Sequence, residues 1–228
     1  MLVAAGAGVR LAAGRPKAFV TVGDVALLVH AARGLAAARV VDRLVVVVPV
    51  GLEGETRQLL RDVTGAWSCA VVAGGATRQA SVAAGLAVVE DAGVVLVHDA
   101  ARAFTPPEVV ARVVAAVRAG HDAVVPAVAV HDTLRDVTGA VVDRSRLRAV
   151  QTPQGFSVDV LRRAHAVPAA GRGATDDAGL VEATGVLVRV VDGHGESFKV
   201  TTPLDLVLAA ALLVSRADVA APLPGTPS

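Results

Sequence analysis

Met1-Leu2-Val3-Ala4-Ala5-Gly6-Ala7-Gly8-Val9-Arg10, followed at short range by Pro16-Lys17, opens the chain and sets its reading. An apolar start of this kind reads as a β-strand that runs straight into a glycine turn. Gly6 and Gly8 let the backbone turn tightly enough for its N–H groups to face an anion, and Arg10 and Lys17 bring side-chain charge to the same neighbourhood. Two familiar phosphate loops do not fit. A dinucleotide fingerprint calls for Gly or Ala where Leu11 stands, and a Walker A loop needs Gly-Lys-Ser/Thr where the chain has Gly14-Arg15-Pro16-Lys17. A loop that carries its own Arg and Lys suits a nucleoside triphosphate, whose larger charge must be offset. Read alone, the segment stays open between a phosphate loop and a glycine-rich structural turn.

Further along, apolar and β-branched runs recur at Leu44–Val48, Cys69–Val72, Val94–Val97, Val124–Val125 and Val186–Val191. Helical patterns separate them at Val25–Arg39, Glu53–Asp62, Gln79–Glu90 and Pro107–Arg118. Continuous apolar strands alternating with helices predict an α/β fold, a mostly parallel sheet covered on both faces. Ligands then gather beyond the carboxyl ends of the strands. The first strand has almost no room before its glycine turn, so it either begins at Met1 or has its natural start upstream. A strand that short is easier to place at a sheet edge than in a sheet centre.

The rhythm changes between Ala127 and Gln151. His131–Asp136 leads through Thr138-Gly139 to Ala140–Asp143, which predicts a strand–turn–strand arm at about 130–152 instead of another helical crossover. Such an arm exposes its edges unless a second subunit covers them, so a homodimer is expected. A helix at Val158–Ala166, a Gly/Ala linker to Ala174, a short helix at Asp177–Thr184, a return strand and a closing helix at Pro203–Arg216 complete residues 1–219 as one expected domain. The Pro-rich residues 220–228 are expected to fray.

Composition narrows the function classes. The chain's 228 residues can bury one substantial core. With 22 Lys+Arg against 21 Asp+Glu, no long basic run and 2% aromatic residues, it offers no general nucleic-acid surface. No apolar run reaches membrane-spanning length without a charge or breaker, so no membrane partner is expected. Cys69 is the single cysteine and no secretory leader follows Met1, which makes the cytoplasm the expected compartment.

Three segments add polar groups to this frame. Gly74-Gly75-Ala76-Thr77-Arg78-Gln79-Ala80-Ser81-Val82 joins a strand to a helix; its glycines admit a base or ribose against backbone and Ser81 can hydrogen-bond it, or Thr77 simply caps an ordinary turn. Val97-His98-Asp99-Ala100-Ala101-Arg102 ends a very apolar strand with an acid and a base at the ligand edge. Asp99 can hold Mg²⁺ against phosphate oxygens, and Arg102 can organise the loop or bind phosphate. A lone histidine beside a buried strand is more often structural than catalytic, and no His/Cys/Asp set has zinc spacing. Later, Asp176 can cap a helix, and Lys199 either meets a phosphate or faces solvent at a strand end.

Taken in order, Ala4–Arg10 with Pro16-Lys17, Gly74-Gly75 with Arg78 and Ser81-Val82, Val97–Arg102, Asp132-Thr133, Gln151-Thr152-Pro153-Gln154, Thr175-Asp176-Asp177-Ala178 and Lys199-Val200-Thr201 resemble the 2-C-methyl-D-erythritol 4-phosphate cytidylyltransferase family over nearly the whole chain. The pattern departs from that family at Ala76, Ala103 and Ser197, and its missing upstream strand residues resemble a start placed late or a shortened member. The resemblance implies a Rossmann-like three-layer nucleotidyltransferase with a protruding β-arm. It implies transfer of CMP from CTP to methylerythritol phosphate, with Mg²⁺ or another divalent cation. Matching positions then place Ala4, Ala5, Gly6, Ala7, Gly8, Arg10, Lys17, Gly75, Ala76, Ser81 and Asp99 around the nucleotide, with Arg10 and Lys17 on the triphosphate. Asp99, Thr133, Arg144, Thr152 and Lys199 fall around the acceptor, Asp99 is the metal residue, and Arg144 serves the neighbouring subunit. Arg10, Lys17, Asp99, Arg144 and Lys199 form the implied catalytic set. Two other readings stay open: cytidylyl transfer to ribitol 5-phosphate or another polyol phosphate, and a nucleotide-binding regulatory protein without transfer chemistry.

Overall fold

The computed structural model describes residues 1–6, 14–63, 68–167 and 175–220. Its elements in chain order are β1 (Leu2–Val3), β2 (Thr21–Val22), β3 (Val25–Ala26), α1 (Leu27–Ala37), β4 (Arg43–Val48), α2 (Glu53–Leu60), β5 (Ser68–Ala73), α3 (Arg78–Leu86), β6 (Val94–Asp99), α4 (Pro107–Arg118) and β7 (Ala123–Ala129). There follow β8 (Leu134–Arg135), β9 (Val141–Val142), β10 (Arg148–Val150), β11 (Gln154–Ser157), α5 (Val158–Ala166), α6 (Asp177–Glu182), β12 (Val188–Asp192) and α7 (Pro203–Ala220).

The expected α/β sheet is present. Across it the strands run β12-β7-β11-β6-β1-β4-β5, with β10 continuing β11 along β7 beyond a break at Gln151–Pro153 that holds a cis Thr152–Pro153 peptide. Every pairing among β1, β4, β5 and β6 is parallel, as is β12 with β7; only β10 and β11 run against their neighbours. Alternation along β4 explains the layers. Leu44, Val46 and Val48 enter a core with Leu28 and Leu35 of α1, Leu60 of α2 and Val110 and Val114 of α4. Val45 and Val47 enter the opposite core with Val82 and Leu86 of α3, Leu161 of α5 and Val181 of α6. A strand buried on both faces has no need of polar alternation, which is why these strands are unbroken apolar runs.

Several boundaries differ from the sequence reading for local reasons. Val25–Ala26 pairs with Thr21–Val22 as a small hairpin, so the first helix starts at Leu27. The closing helix runs on to Ala220 instead of ending at Arg216. The short β1 lies in the sheet centre between β4 and β6, not at an edge. Strands β10 and β11 have no apolar run to announce them. Within β11, Gln154 is buried because its amide donates to Asp176 Oδ2 (2.7 Å) and its carbonyl accepts from Ala178 N–H (3.1 Å). The arm is present as β8 paired with β9, and these two strands pair with no other described strand.

Gly155 is where β11 touches α4: a Cβ there would lie 2.5 Å from Val113 Cγ1 and 3.1 Å from Val117 Cγ2. Both valines are buried, so the helix itself would have to shift. Gly155→Ala should therefore cost about 1–3 kcal/mol, the usual range for overpacking a tight core. A urea titration with an unchanged slope and a lowered midpoint is the expected result; an unchanged midpoint would mean that α4 adapts freely.

Candidate active site

Carboxyl ends of β1, β5 and β6 converge on a cleft of about 290 Å³ lined by Val3–Gly6, Lys17, Gly75–Arg78, Ser81, Asp99–Ala101 and Lys199. A larger cavity, about 600 Å³, opens at the amino-terminal end of the strands around Val40–Val45 and Val89–Leu96. Its charged groups, Asp42, Arg43, Glu90, Asp91 and Arg118, are of mixed sign, whereas the smaller cleft gathers Lys17, Arg78 and Lys199 around one carboxylate. Polyphosphate chemistry belongs with the smaller cleft, at the strand end where parallel sheets place their ligands.

Two turns build its walls. Thr77 caps α3 by accepting from Ala80 N–H (3.0 Å), so the ordinary cap reading of that turn holds. Buried Ser81 is committed to the same turn: its hydroxyl donates to Thr77 O (2.9 Å) and accepts from Gly75 N–H (3.2 Å). A Cβ on Gly74 would lie 2.6 Å from Ala5 Cβ, so glycine is what lets this turn approach the one after β1. Ala4, Ala5 and Gly6 thus reach the cleft beside Gly75 and Ala76. Ala7, Gly8 and Arg10 lie outside the described residues.

Asp99 ends β6 at the floor of the cleft. Lys199 Nζ donates to its Oδ2 (2.6 Å), and the Arg78 guanidinium approaches its Oδ1 at 3.5 Å. Burial alone would push this carboxyl up, but Lys199 and Arg78 outweigh it and bring the pKa down to about 2. On its far side Arg78 Nη1 donates to Asp177 Oδ2 (2.6 Å). Burial works against the guanidinium charge there, yet Asp177 and Asp99 together raise its pKa.

Behind Asp99, Thr152 Oγ1 accepts from Asp99 N–H (3.1 Å) and lies 2.8 Å from His98 Nδ1. His98 is buried within the strand, the structural role expected of it. The Lys199 segment is fastened to the same region. Gln151 donates to His194 O (2.8 Å) and accepts from His194 N–H (3.0 Å), while Arg102 donates to Ser197 O (2.7 Å) and Val150 O (3.1 Å). Arg102 therefore organises this loop. Asp176 caps α6 through Gly179 N–H (2.9 Å).

Lys17, Asp99 and Lys199 thus meet in one cleft, Thr152 lies directly behind it, and Thr133 and Arg144 are exposed on the arm, outside the cleft lining. Arg78 and Asp177 belong to the segments that carry the resemblance, but the sequence assigns neither a site role. Asp177 stands 99 residues from Arg78, and no spacing pattern marks the pair.

A mostly parallel three-layer sheet, with glycine-walled turns and a cation-flanked carboxylate at its central strand ends, defines a Rossmann-like nucleotidyltransferase. Similarity to known proteins narrows the class. The family model for 2-C-methyl-D-erythritol 4-phosphate cytidylyltransferase matches residues 1–215. Proteins of that name from Rhodococcus jostii (55% identical, covering 93% of each chain) and Streptomyces coelicolor (47%, covering 95% of this chain and 84% of the other) are similar throughout. The crystal structure of the Thermus thermophilus enzyme of that name is 40% identical, with a TM-score of 0.74 over 92% of this chain and 96% of the other. The 4-diphosphocytidyl-2C-methyl-D-erythritol synthase of Anaerococcus prevotii is 26% identical, with a TM-score of 0.81 over 93% of this chain and 96% of the other. The chain belongs to the 2-C-methyl-D-erythritol 4-phosphate cytidylyltransferase family.

Acid should loosen the floor of this cleft in two stages. Burial pushes His98 down from 6.5 to about 4, against the opposing pull of Asp99, and Asp99 falls from 3.8 to about 2. In both cases the unfolded chain binds its proton at a higher pH than the folded one, so stability drops as pH falls, first between 6.5 and 4 and then between 3.8 and 2. Urea midpoints measured across these windows should decline accordingly, and His98→Gln should make the upper window less steep, the remainder coming from other groups that burial pushes down, His30 among them. A slope as steep as that of the unaltered protein would remove His98 as its source.

Proposed function

We propose that this chain transfers the cytidylyl group of CTP to 2-C-methyl-D-erythritol 4-phosphate, giving 4-CDP-2-C-methyl-D-erythritol and pyrophosphate in non-mevalonate isoprenoid synthesis. The observation that carries the reading is the Lys199–Asp99–Arg78 cluster in one cleft with Lys17, beside two turns whose backbone is open to a ligand. An acceptor phosphate oxygen attacks the α-phosphorus of CTP. One P–O bond forms there, the bond from the α-phosphorus to the bridging oxygen breaks, and pyrophosphate leaves with that oxygen and its electron pair. A phosphate monoester is largely dianionic at neutral pH, its second pKa being about 6, so the reaction needs no serine, cysteine or histidine nucleophile. Positioning and charge compensation do the catalysis.

In this reading the turn at Ala4, Ala5 and Gly6, continued by Ala7 and Gly8, receives the triphosphate with Arg10 and Lys17. Gly75, Ala76 and Ser81 border the cytidine. Lys199, oriented by Asp99, holds the incoming phosphate, and Thr152 fixes the strand end behind them. Thr133 and Arg144 come from the arm of a second copy. What supports that exchange is an arm whose two strands pair with nothing else described and whose Val137 and Val141 are exposed. The cytoplasm remains the proposed compartment, in keeping with the lone Cys69.

Mg²⁺ or another divalent cation belongs to the same proposal. Asp99 is the one carboxylate among the described cleft residues, and no group of three or more His, Cys, Asp or Glu side chains converges among the residues described. A single carboxylate fits a cation held jointly with triphosphate oxygens and does not fit a protein cage. Bound there, the cation would neutralise and orient phosphate groups.

Incubating the protein with CTP and either methylerythritol phosphate or ribitol 5-phosphate, while following pyrophosphate and the nucleotide product, separates the acceptors. Faster turnover of methylerythritol phosphate is expected. Preference for ribitol phosphate, or CTP binding without turnover of any polyol phosphate, overturns the assignment. Lys17→Ala should lower kcat by about 100-fold or more, as loss of a charge-stabilising group does. Near-normal turnover in the folded variant would remove Lys17 from the triphosphate.

A further inference from the structure

Behind the cleft wall, Asp177 is fully buried at the start of α6 and uses each of its oxygens on a different element. Oδ2 accepts from Arg78 Nη1 of α3 (2.6 Å), and Oδ1 accepts from His165 Nε2 of α5 (2.9 Å). The His165 side chain is itself only 5% exposed, and its Nδ1 has no hydrogen-bond partner among the described residues. Among the described residues its side chain's one hydrogen bond is therefore to Asp177. A row of alternating groups, His165–Asp177–Arg78–Asp99–Lys199, runs from the interior core to the cleft.

Arg78 is the member shared between two carboxylates. Its side chain is 30% exposed at the cleft and carries a planar fork that can meet two carboxylates at once. Without Asp177, nothing described would oppose its full swing onto Asp99, which already holds Lys199. Burying one end of the fork against a carboxylate that cannot move leaves the other end presented to the cleft at a fixed angle.

We infer that Asp177, backed by His165, is a positioning residue for the nucleotide: it fixes the Arg78 guanidinium in the cleft wall, so that Arg78 meets the anionic substrate without displacing Lys199 from Asp99. This rests on the CTP-dependent transfer proposed above. Aspartate suits the position for a chemical reason. It offers a negative charge and two acceptors to two donors, whereas an amide is neutral, keeps one acceptor, and faces His165 with a donor that forces the imidazole proton from Nε2 to Nδ1. Lysine at position 78 keeps the charge opposite Asp177 but cannot span both carboxylates.

Calorimetric titration with CTP, read beside steady-state kinetics, tests the inference. Asp177→Asn and Arg78→Lys should each weaken CTP binding and raise its KM by about ten-fold, while the acceptor KM moves less than about two-fold. The double variant should be no worse than either single one, because both act through one contact. His165→Gln, which restores a donor at the Nε2 position, should bind CTP like the unaltered protein, and His165→Leu should not. Multiplying effects in the double variant, an equal rise in the acceptor KM, or unchanged CTP affinity in Asp177→Asn overturns the inference. CTP affinity is read without turnover, so failure of the transfer reaction itself appears separately, as an unaltered protein that binds CTP and forms no product.

Discussion

Burial of the Asp99 carboxylate is the constraint around which the cleft is arranged. An ionised carboxylate leaving water is costly unless cations and hydrogen bonds replace its hydration, and here that role falls to Lys199 and Arg78. The two cations arrive from opposite parts of the chain, one before α7 and one at the first turn of α3. Their convergence fixes which loops must meet at the end of β6. The sheet supplies the place and the charge requirement supplies the partners.

Each cation is in turn held largely by groups outside the cleft lining. Lys199 follows a segment stitched to the base of the arm by Gln151 and Arg102, and Val200 N–H donates to Ala101 O (2.8 Å) right after it. Arg78 leans on Asp177. Thr152, in the break between β10 and β11, joins the backbone of Asp99 to the same arm base. Residues 150–152 therefore touch both the backbone of Asp99 and the segment that leads to Lys199, which makes the arm's root a part of the site's framework.

Legibility in the sequence followed the distance over which each feature is determined. The parallel strands could be read because burial on both faces writes itself as a local apolar run, as in Leu44–Val48. Helix α4 is legible at both ends because Pro107 opens it and its apolar stripe is regular. Strand β11 was not legible. Its burial is satisfied by Gln154 reaching Asp176 and Ala178, and by the missing side chain of Gly155, and neither makes an apolar pattern. Within the site, Asp99 and Lys17 were marked by their places at strand and loop ends. The Arg78–Asp177 pair was not, since it depends on two helix starts meeting in space. The sequence offers the Ser81 hydroxyl to a base or ribose, whereas in the fold it is spent on the turn.

Charge balance explains why such a cleft should be built with its cations already in place. Among its described lining residues, three cations face one carboxylate, so an arriving polyphosphate meets a site with excess positive charge. Those cations are not idle while the cleft waits: Lys199 and Arg78 rest on Asp99, which keeps them from collapsing outward into water. An anionic substrate then adds its contacts to side chains already held by Asp99, instead of ordering long side chains from solution. The entropy of ordering Lys and Arg, about 1.5–2 kcal/mol per side chain, has been met in folding. Preorganisation here is the ion-pair framework itself, and its rigidity comes from the buried partners behind the cleft more than from the cleft's own walls.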